Sequence, residues 1–305
     1  MGAAIPQVVT ENTATSAEKI PYSLSFDSIR LTTLNRTTTR SASNAAASFS
    51  VWVKLHDVST TFRRIHTIEG AGGSDFVFTI AFNSNKLFVY DSDQGGTDAN
   101  AAQSDGVLRD SNAWYHIFYA RTAGGTDGTI YINGVQQTKQ TTNATNIDLF
   151  SRRHDIGQRR DNTGHFDGLM SHLYFIDGQR LNPTDFAYTD PLTNTWRPKK
   201  YTGTFGTMGY YLPFDGTAPI GKDQSGLGND FIPQNFGIGN FDISTGAKPI
   251  LNTSSGCRVA SGGVRTFHKT FVVTVANDGG NKFFFDGVNN TGTAIPLYRG
   301  GVYTF

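Results

Sequence analysis

The chain has 305 residues, room for one large domain or two modest ones, and its 26 basic and 25 acidic residues leave a formal charge of +1. So even a balance gives no field to steer the protein onto nucleic acid or an anionic membrane, and no stretch approaches the ~18 consecutive apolar residues of a membrane span. Of the acids 22 are Asp, the only glutamates are Glu11, Glu18 and Glu69, and 34 Gly, 23 Phe and 12 Tyr complete a composition of turns and strands that excludes a helical bundle.

Residues 1–20 are small and polar, and read as an extended arm to be ordered by a partner. They contain no basic and apolar signal-peptide pattern, and Gly2 opens no myristoylation motif because Pro6 stands where Ser or Thr is needed. A globular unit begins near Tyr22. Short β-branched and aromatic runs predict strands at 24–26, 49–54, 76–82, 87–90, 114–120, 129–132, 169–176 and 210–214, separated by Gly, Asn and Asp clusters. Asn133-Gly134 in TIYINGVQQT supplies the two left-handed residues of a type I′ hairpin. Asn83 to Asn85 turn a second hairpin, whose first strand puts Phe76, Phe78 and Ile80 on one face and Val77, Thr79 and Ala81 on the other.

Strands this short and this evenly spaced imply two antiparallel sheets face to face, an all-β jelly-roll sandwich. Asn182 capping a turn that starts at Pro183 is the one helical segment predicted. The expected organisation is an arm (1–20), a sandwich (21–200), an irregular Gly, Asn and Pro-rich extension that returns to it (201–255), and the start of a second β module (256–305). That module carries strands in FHKTFVVTVAND, NKFFFDGV and IPLYRGGVYTF, too few to enclose a core, so either they dock on the first domain or on a neighbour, or the natural chain continues past Phe305. Cys257 is the one cysteine and closes no intramolecular disulfide.

The succession SFSVWVKL, DSNAWYHIFYA, TIYINGVQQT and HFDGLMSHLYFIDGQRLNPTDFA resembles a laminin-G-like, concanavalin A-like lectin/glucanase domain, in the version found in structural proteins of marine bacteriophages. Trp52, Trp114, His116, Tyr131, Asn133, Gly134, Phe166, Asp167, Gly168, Phe175, Ile176, Asp177, Gly178, Leu181, Pro183, Asp185 and Phe186 carry it, and WRPKKYTGTFGTMGYYLPFDG with KDQSGLGNDF is similar to the family's tail. The resemblance implies a virion structural protein, a tail fibre or capsid decoration component, with a carbohydrate-binding adhesin as the alternative and an extracellular glycosidase as a third reading. It also implies a homo-oligomer, a trimer as in many fibres, tied to other virion proteins through the arm and contacting host cell-surface polysaccharide. Neither nucleic acid nor membrane is expected as a partner.

The candidate chemistry is sparse. Glucanases of this sandwich flank the scissile bond with two carboxylates, but Glu69 is the only glutamate in the domain and no paired-Glu motif exists, so no enzyme is expected. GTAPIGKD (216–223) copies the start of a phosphate loop, yet Asp223 replaces the hydroxyl that would bind Mg²⁺ and Pro219 sits inside it. DSDQGGTD opens like a calcium loop, making Asp91, Asp93 and Asp98 a partial Ca²⁺ site, although place twelve is Ala102 rather than Glu. No other cofactor is implied. SRRHDIGQRRDNTGH gathers Arg152, Arg153, Arg159, Arg160 and His165 around one short strand, an arrangement for anionic glycan if the arginines are not satisfied by Asp155 and Asp161. Trp52, Trp114 and Phe118 read as core residues and His116 as a hydrogen-bonded, half-buried histidine.

Overall fold

The computed structural model describes residues 23–38, 46–56, 62–70, 76–92, 98–111, 113–123, 128–142, 152–191, 194–216, 218–236, 241–242, 268–270, 273–277, 281–285, 288–289 and 302–304. Side chains of 76, 77, 91, 92, 98–102, 139–142 and all residues past 236 are outside this description, as are the arm and Cys257. The chain divides into two compact units, Met1–Cys257 and Arg258–Phe305.

Alternation builds the first unit. In chain order its strands are β1 (Ser23–Phe26), β2 (Thr33–Thr37), β3 (Ala47–Leu55), β4 (Arg63–Glu69), β5 (Phe76–Asn83), β6 (Lys86–Ser92), β7 (Asp98–Gln103), β8 (Trp114–Arg121), β9 (Gly128–Ile132), β10 (Val135–Gln136), β11 (Lys139–Thr142), β12 (Arg153–Ile156), β13 (Gly168–Asp177), β14 (Ala187–Thr189), β15 (Trp196–Pro198), β16 (Tyr210–Leu212), β17 (Ile232–Gln234) and β18 (Phe241–Asp242). One sheet runs β10-β9-β8-β3-β13-β1-β18, with β16 also on β13; the other runs β11-β7-β6-β5-β4-β12-β2-β17. Every pairing within these two sheets is antiparallel. Phe49, Val51, Val53 and Leu55 of β3 and Ile117 and Tyr119 of β8 meet Ile68, Phe78, Ile80, Phe82, Leu87 and Val89 from the opposite sheet in one buried core. This is the expected all-β sandwich of concanavalin A-like, jelly-roll type.

The turns follow their residues. Asn133 (φ 49°) and Gly134 (φ 79°) are both left-handed and join β9 to β10, with Ile132 opposite Val135. The next hairpin turns on Ser84 (φ 51°) and Asn85 (φ 62°). The predicted helical segment is a 3₁₀ turn, Pro183–Asp185, where Asp185 Oδ2 accepts the Asn182 N–H at 2.8 Å.

Beyond β13 the chain crosses the outer face of the first sheet. Trp52, Trp114 and Leu169 are buried there with Ala187, against Trp196; Phe118, Ala120, Tyr174 and Ile176 are buried with Phe186, Tyr201 and Tyr211. Trp52, Trp114 and Phe118 are thus core residues, but of this outer layer and not of the space between the sheets. His116, expected half-buried, is fully buried in this same outer layer, against Trp52 and Trp196. Tyr174 and Tyr211 stack at 4.3 Å with planes 3° apart.

The 218–230 stretch is organised around the Asp223 carboxylate. Asp223 Oδ1 accepts from Tyr211 N and Ser225 N, both at 2.9 Å, and its Oδ2 accepts from Ser225 Oγ at 2.7 Å and Asn229 N at 2.8 Å. Lys222 pairs with Asp230 at 2.7 Å, so this phosphate-loop mimic is a turn spending its polar groups on itself. In the second unit β19 (His268–Thr270) pairs in parallel with β23 (Val302–Thr304), and β20 (Val273–Asn277), β21 (Asn281–Phe285) and β22 (Val288–Asn289) form an antiparallel meander.

Candidate functional site

On the second sheet the residues that point away from the core form rows across the strands. Asn35, Asp155, Thr67, Thr79 and Tyr90 stand side by side on β2, β12, β4, β5 and β6. Arg64, Ala81, Phe88 and Gln103 form the neighbouring row on β4 to β7. On the other side Arg153 stands between Thr37 and Glu69. A bulge in β4 makes these rows: the register shifts between Arg64 and His66, so Ile65 and His66 are both buried while Arg64 and Thr67 take the outer face.

Thr67, Thr79 and Ala81 are small and fully buried, whereas Arg64, Phe88, Tyr90, Arg153 and Arg159 are half-exposed. Small, covered side chains therefore lie between an aromatic flank and a charged one. On the aromatic flank Phe88 and Tyr90 have centroids 6.2 Å apart and planes within 15°, and Phe62 meets Phe88 edge-on at 5.8 Å. The Arg64 guanidinium lies 5.1 Å over the Phe62 ring.

On the charged flank Arg153 gives Asp155 Oδ1 two bonds, from Nη2 at 2.6 Å and Nε at 3.0 Å, and Gln158 Nε2 adds a third at 3.0 Å. Asp155 Oδ2 and Gln158 Oε1 are buried with no hydrogen-bond partner. Arg159 donates to Glu69 Oε1 at 2.7 Å and pairs with Asp161 at 3.1 Å. Burial pushes both the Asp155 and Glu69 carboxyls above the usual range, against the pull of these guanidinium bonds. Burial, and then the adjacent Arg159, lowers the Arg64 guanidinium.

The predicted Arg-rich segment thus splits. Arg153 and Arg159 sit on the sheet face, each bound to carboxylate; Arg160 is half-exposed beside Asp155 and makes no ion pair among the described residues. Arg152 is half-exposed at the head of β12, where its carbonyl accepts Thr38 N at 3.3 Å. His165 is buried in the loop between β12 and β13, its Nε2 on Asn162 O at 3.0 Å and its carbonyl accepting from Arg63 Nη1 at 3.4 Å. Asp91 and Asp98 stand on the backbones of β6 and β7, opposite Asn100 and Ser92; their side chains and all of Asp93 are outside the described residues. Among the described residues no group of three His, Cys, Asp or Glu is arranged to hold a metal ion. Sequence reasoning did not single out Arg64, Phe88 and Tyr90. Their signal was the polar or aromatic residue alternating with Ile65, Leu87 and Val89, which marks an outer face without saying what covers it.

A sequence profile of the concanavalin A-like lectin/glucanases superfamily matches residues 28–185, more than half of the chain, and the chain belongs to this superfamily. No curated protein matches the sequence. Among solved structures, the chain is similar to a candidate carbohydrate-binding protein from Bacteroides ovatus (13% identity, 71% of this chain and 59% of that one, TM-score 0.49). It is also similar to a heptameric SAP-like pentraxin from Limulus polyphemus (14%, 65% and 93%, TM-score 0.43). A third is a domain of an extracellular arabinanase from Geobacillus stearothermophilus, in complex with arabinotriose (18%, 49% and 68%, TM-score 0.37). The chain spans about three fifths of the length of the first of these.

Proposed function

We propose that this concanavalin A-like sandwich is a glycan-recognition module that binds without cleaving, carried on a bacteriophage virion as a tail-fibre or capsid-surface component. The observation that carries the binding reading is the unequal treatment of the two sheets. The outer face of the first is filled by the chain's own Phe186, Trp196, Tyr201 and Tyr211, while the outer face of the second presents half-exposed rings and guanidinium groups. Superfamily membership supports carbohydrate as the ligand class. The virion setting rests on the motif strings between Tyr22 and Phe231, and with it come a homo-oligomer, trimeric as in fibres, and attachment of the arm to a neighbouring subunit. A glycan array probed with the full chain tests binding, light scattering tests the trimer, and immunogold labelling of intact particles tests the location. An empty array refutes the first, a monodisperse monomer the second, and unlabelled particles the third.

Hydrolysis is a second reading with one observation in its favour: Glu69 and Asp155 face the same way on neighbouring strands, two positions apart in register, and both carboxyls are raised. Against it, guanidinium groups occupy Glu69 Oε1 and Asp155 Oδ1, which favours fixed charges over a proton donor. Release of reducing ends from a bound polysaccharide, abolished by Glu69→Gln, would establish hydrolysis in place of binding alone.

A further inference from the structure

We propose that the outer face of the second sheet takes an acidic sugar, with Arg64 receiving its carboxylate and the Phe88 and Tyr90 rings supporting its pyranose ring. The inference rests on the reading of the sandwich as a glycan-binding module and names the ligand class.

The charge count points to an anion. Arg64, Arg153, Arg159 and Arg160 meet Glu69, Asp155 and Asp161, four cations against three anions. Arg153 and Arg159 are consumed by their carboxylates. Arg64 has none: its guanidinium makes no hydrogen bond or ion pair among the described residues, and its Nε is buried without a partner. Its neighbours are the Phe62 ring at 5.1 Å and the Arg159 guanidinium, and the Glu69 and Asp161 carboxylates act on it through space without bonding it. A half-buried cation beside a like charge is a costly arrangement unless an anion completes it. The planar fork of Arg matches a carboxylate in two parallel hydrogen bonds.

The ring platform adjoins this fork. Ala81 stands between Arg64 and Phe88 in register and is fully buried, and Phe62 links the guanidinium to Phe88 by contact. Phe88 and Tyr90, at positions i and i+2 of one strand, have near-parallel, stacked rings, and their half-exposed apolar surface is of the kind that packs on the C–H groups of a pyranose. The backbone of the loop between β12 and β13 seats Arg64. Arg64 N donates to Gly164 O at 2.9 Å, and a Cβ on Gly164 would lie 2.2 Å from Arg64 Nη1. Gly164, at φ +63°, is therefore the residue that leaves room for the guanidinium.

The test is calorimetric titration of the full chain with oligogalacturonate and oligoalginate, with their carboxyl-reduced neutral counterparts, and with sulfated dextran. The expected result is binding of the carboxylated probes, weaker by roughly tenfold or more for the reduced ones, and weakened by salt. Arg64→Gln should lower affinity for the acid forms by a similar factor with the urea midpoint unchanged, and Phe88→Ala should weaken acid and reduced forms alike. Gly164→Ala displaces the guanidinium without removing its charge, and should mimic Arg64→Gln in binding. Equal affinity for acid and reduced forms, or sulfated dextran preferred over both, overturns the inference and leaves the glycan-binding reading standing. Binding of acid forms that is indifferent to Arg64→Gln places the carboxylate elsewhere and overturns it too. Failure of every glycan, neutral or acidic, refutes the module reading and this inference with it.

Discussion

His116 offers a sharp test of how the outer layer of the first sheet is built. Its Nδ1 accepts the indole N–H of Trp196 at 3.0 Å, and its Nε2 lies 2.8 Å from Ser50 Oγ. Indole nitrogen only donates, so Nδ1 must be bare and the ring neutral, with its proton on Nε2 toward the serine. Burial lowers its pKa to about 3 from an ordinary 6.5. The folded value lies below the unfolded one, so the stability is fully present above pH 6.5 and is lost as pH falls from there towards 3. At pH 5 the unfolded histidine is almost wholly protonated and the folded one is not, which costs about 2 kcal/mol relative to pH 7. His116→Gln keeps a polar group in the site and removes this term. All three tryptophans, Trp52, Trp114 and Trp196, belong to the layer around His116, so their fluorescence reports its unfolding in urea. The acid-induced loss between pH 7 and pH 5 should be smaller by about 2 kcal/mol in the variant than in the parent. His66, also held low by burial and by His154, titrates alike in both proteins and cancels in this difference. Equal losses in the two proteins, or a folded-state His116 C2–H resonance that titrates near 6.5, would refute the buried neutral imidazole.

Two further outcomes are expected. Asp223→Ala removes the acceptor of four hydrogen bonds in a buried turn and should destabilise the sandwich by roughly 3 to 5 kcal/mol, measured in urea, whereas a loss below about 1 kcal/mol would mean the turn holds without it. Treatment with EDTA should move the melting temperature by no more than a degree or two, and a larger shift reversed by Ca²⁺ would assign that ion to the Asp91, Asp93 and Asp98 loop.

The sandwich was legible where apolar residues alternate without interruption, as in β3, and where turn chemistry is unambiguous, as at Asn133-Gly134. It was less legible where charged and polar residues break the pattern. In β4 the inward positions include His66 and the bulge at Ile65, and the outward ones are Arg64, Thr67 and Glu69, so the run RRIHTIE has no clean period of two. β2 and β7, TLNRT and DANAAQ, lack the apolar content that marks a strand and owe their existence to neighbours already in register. Local sequence predicts the face a residue takes only once the strand itself is recognised.

What covers a face is a separate question, and the strands β6 and β8 pose it directly. Each alternates residues of the inner core with residues on the opposite side: Leu87 and Val89 inward against Phe88 and Tyr90 outward, Ile117 and Tyr119 inward against His116 and Phe118 outward. Within their own windows the two patterns are equivalent, yet His116 and Phe118 are fully buried while Phe88 and Tyr90 are half-exposed. The difference is made by residues far along the chain: Phe186, Trp196 and Tyr201, more than sixty positions beyond β8, cross the first sheet and supply the apolar contacts that its outer face requires. The aromatic residues the sequence advertises most strongly, Trp52 and Trp114, are therefore structural, and the weaker signal of Phe88 and Tyr90 is the one that meets solvent. In the proposed reading recognition follows from that asymmetry, because a face whose rings are covered by the chain leaves little area for a ligand, and a half-covered face beside the Arg64 guanidinium leaves more.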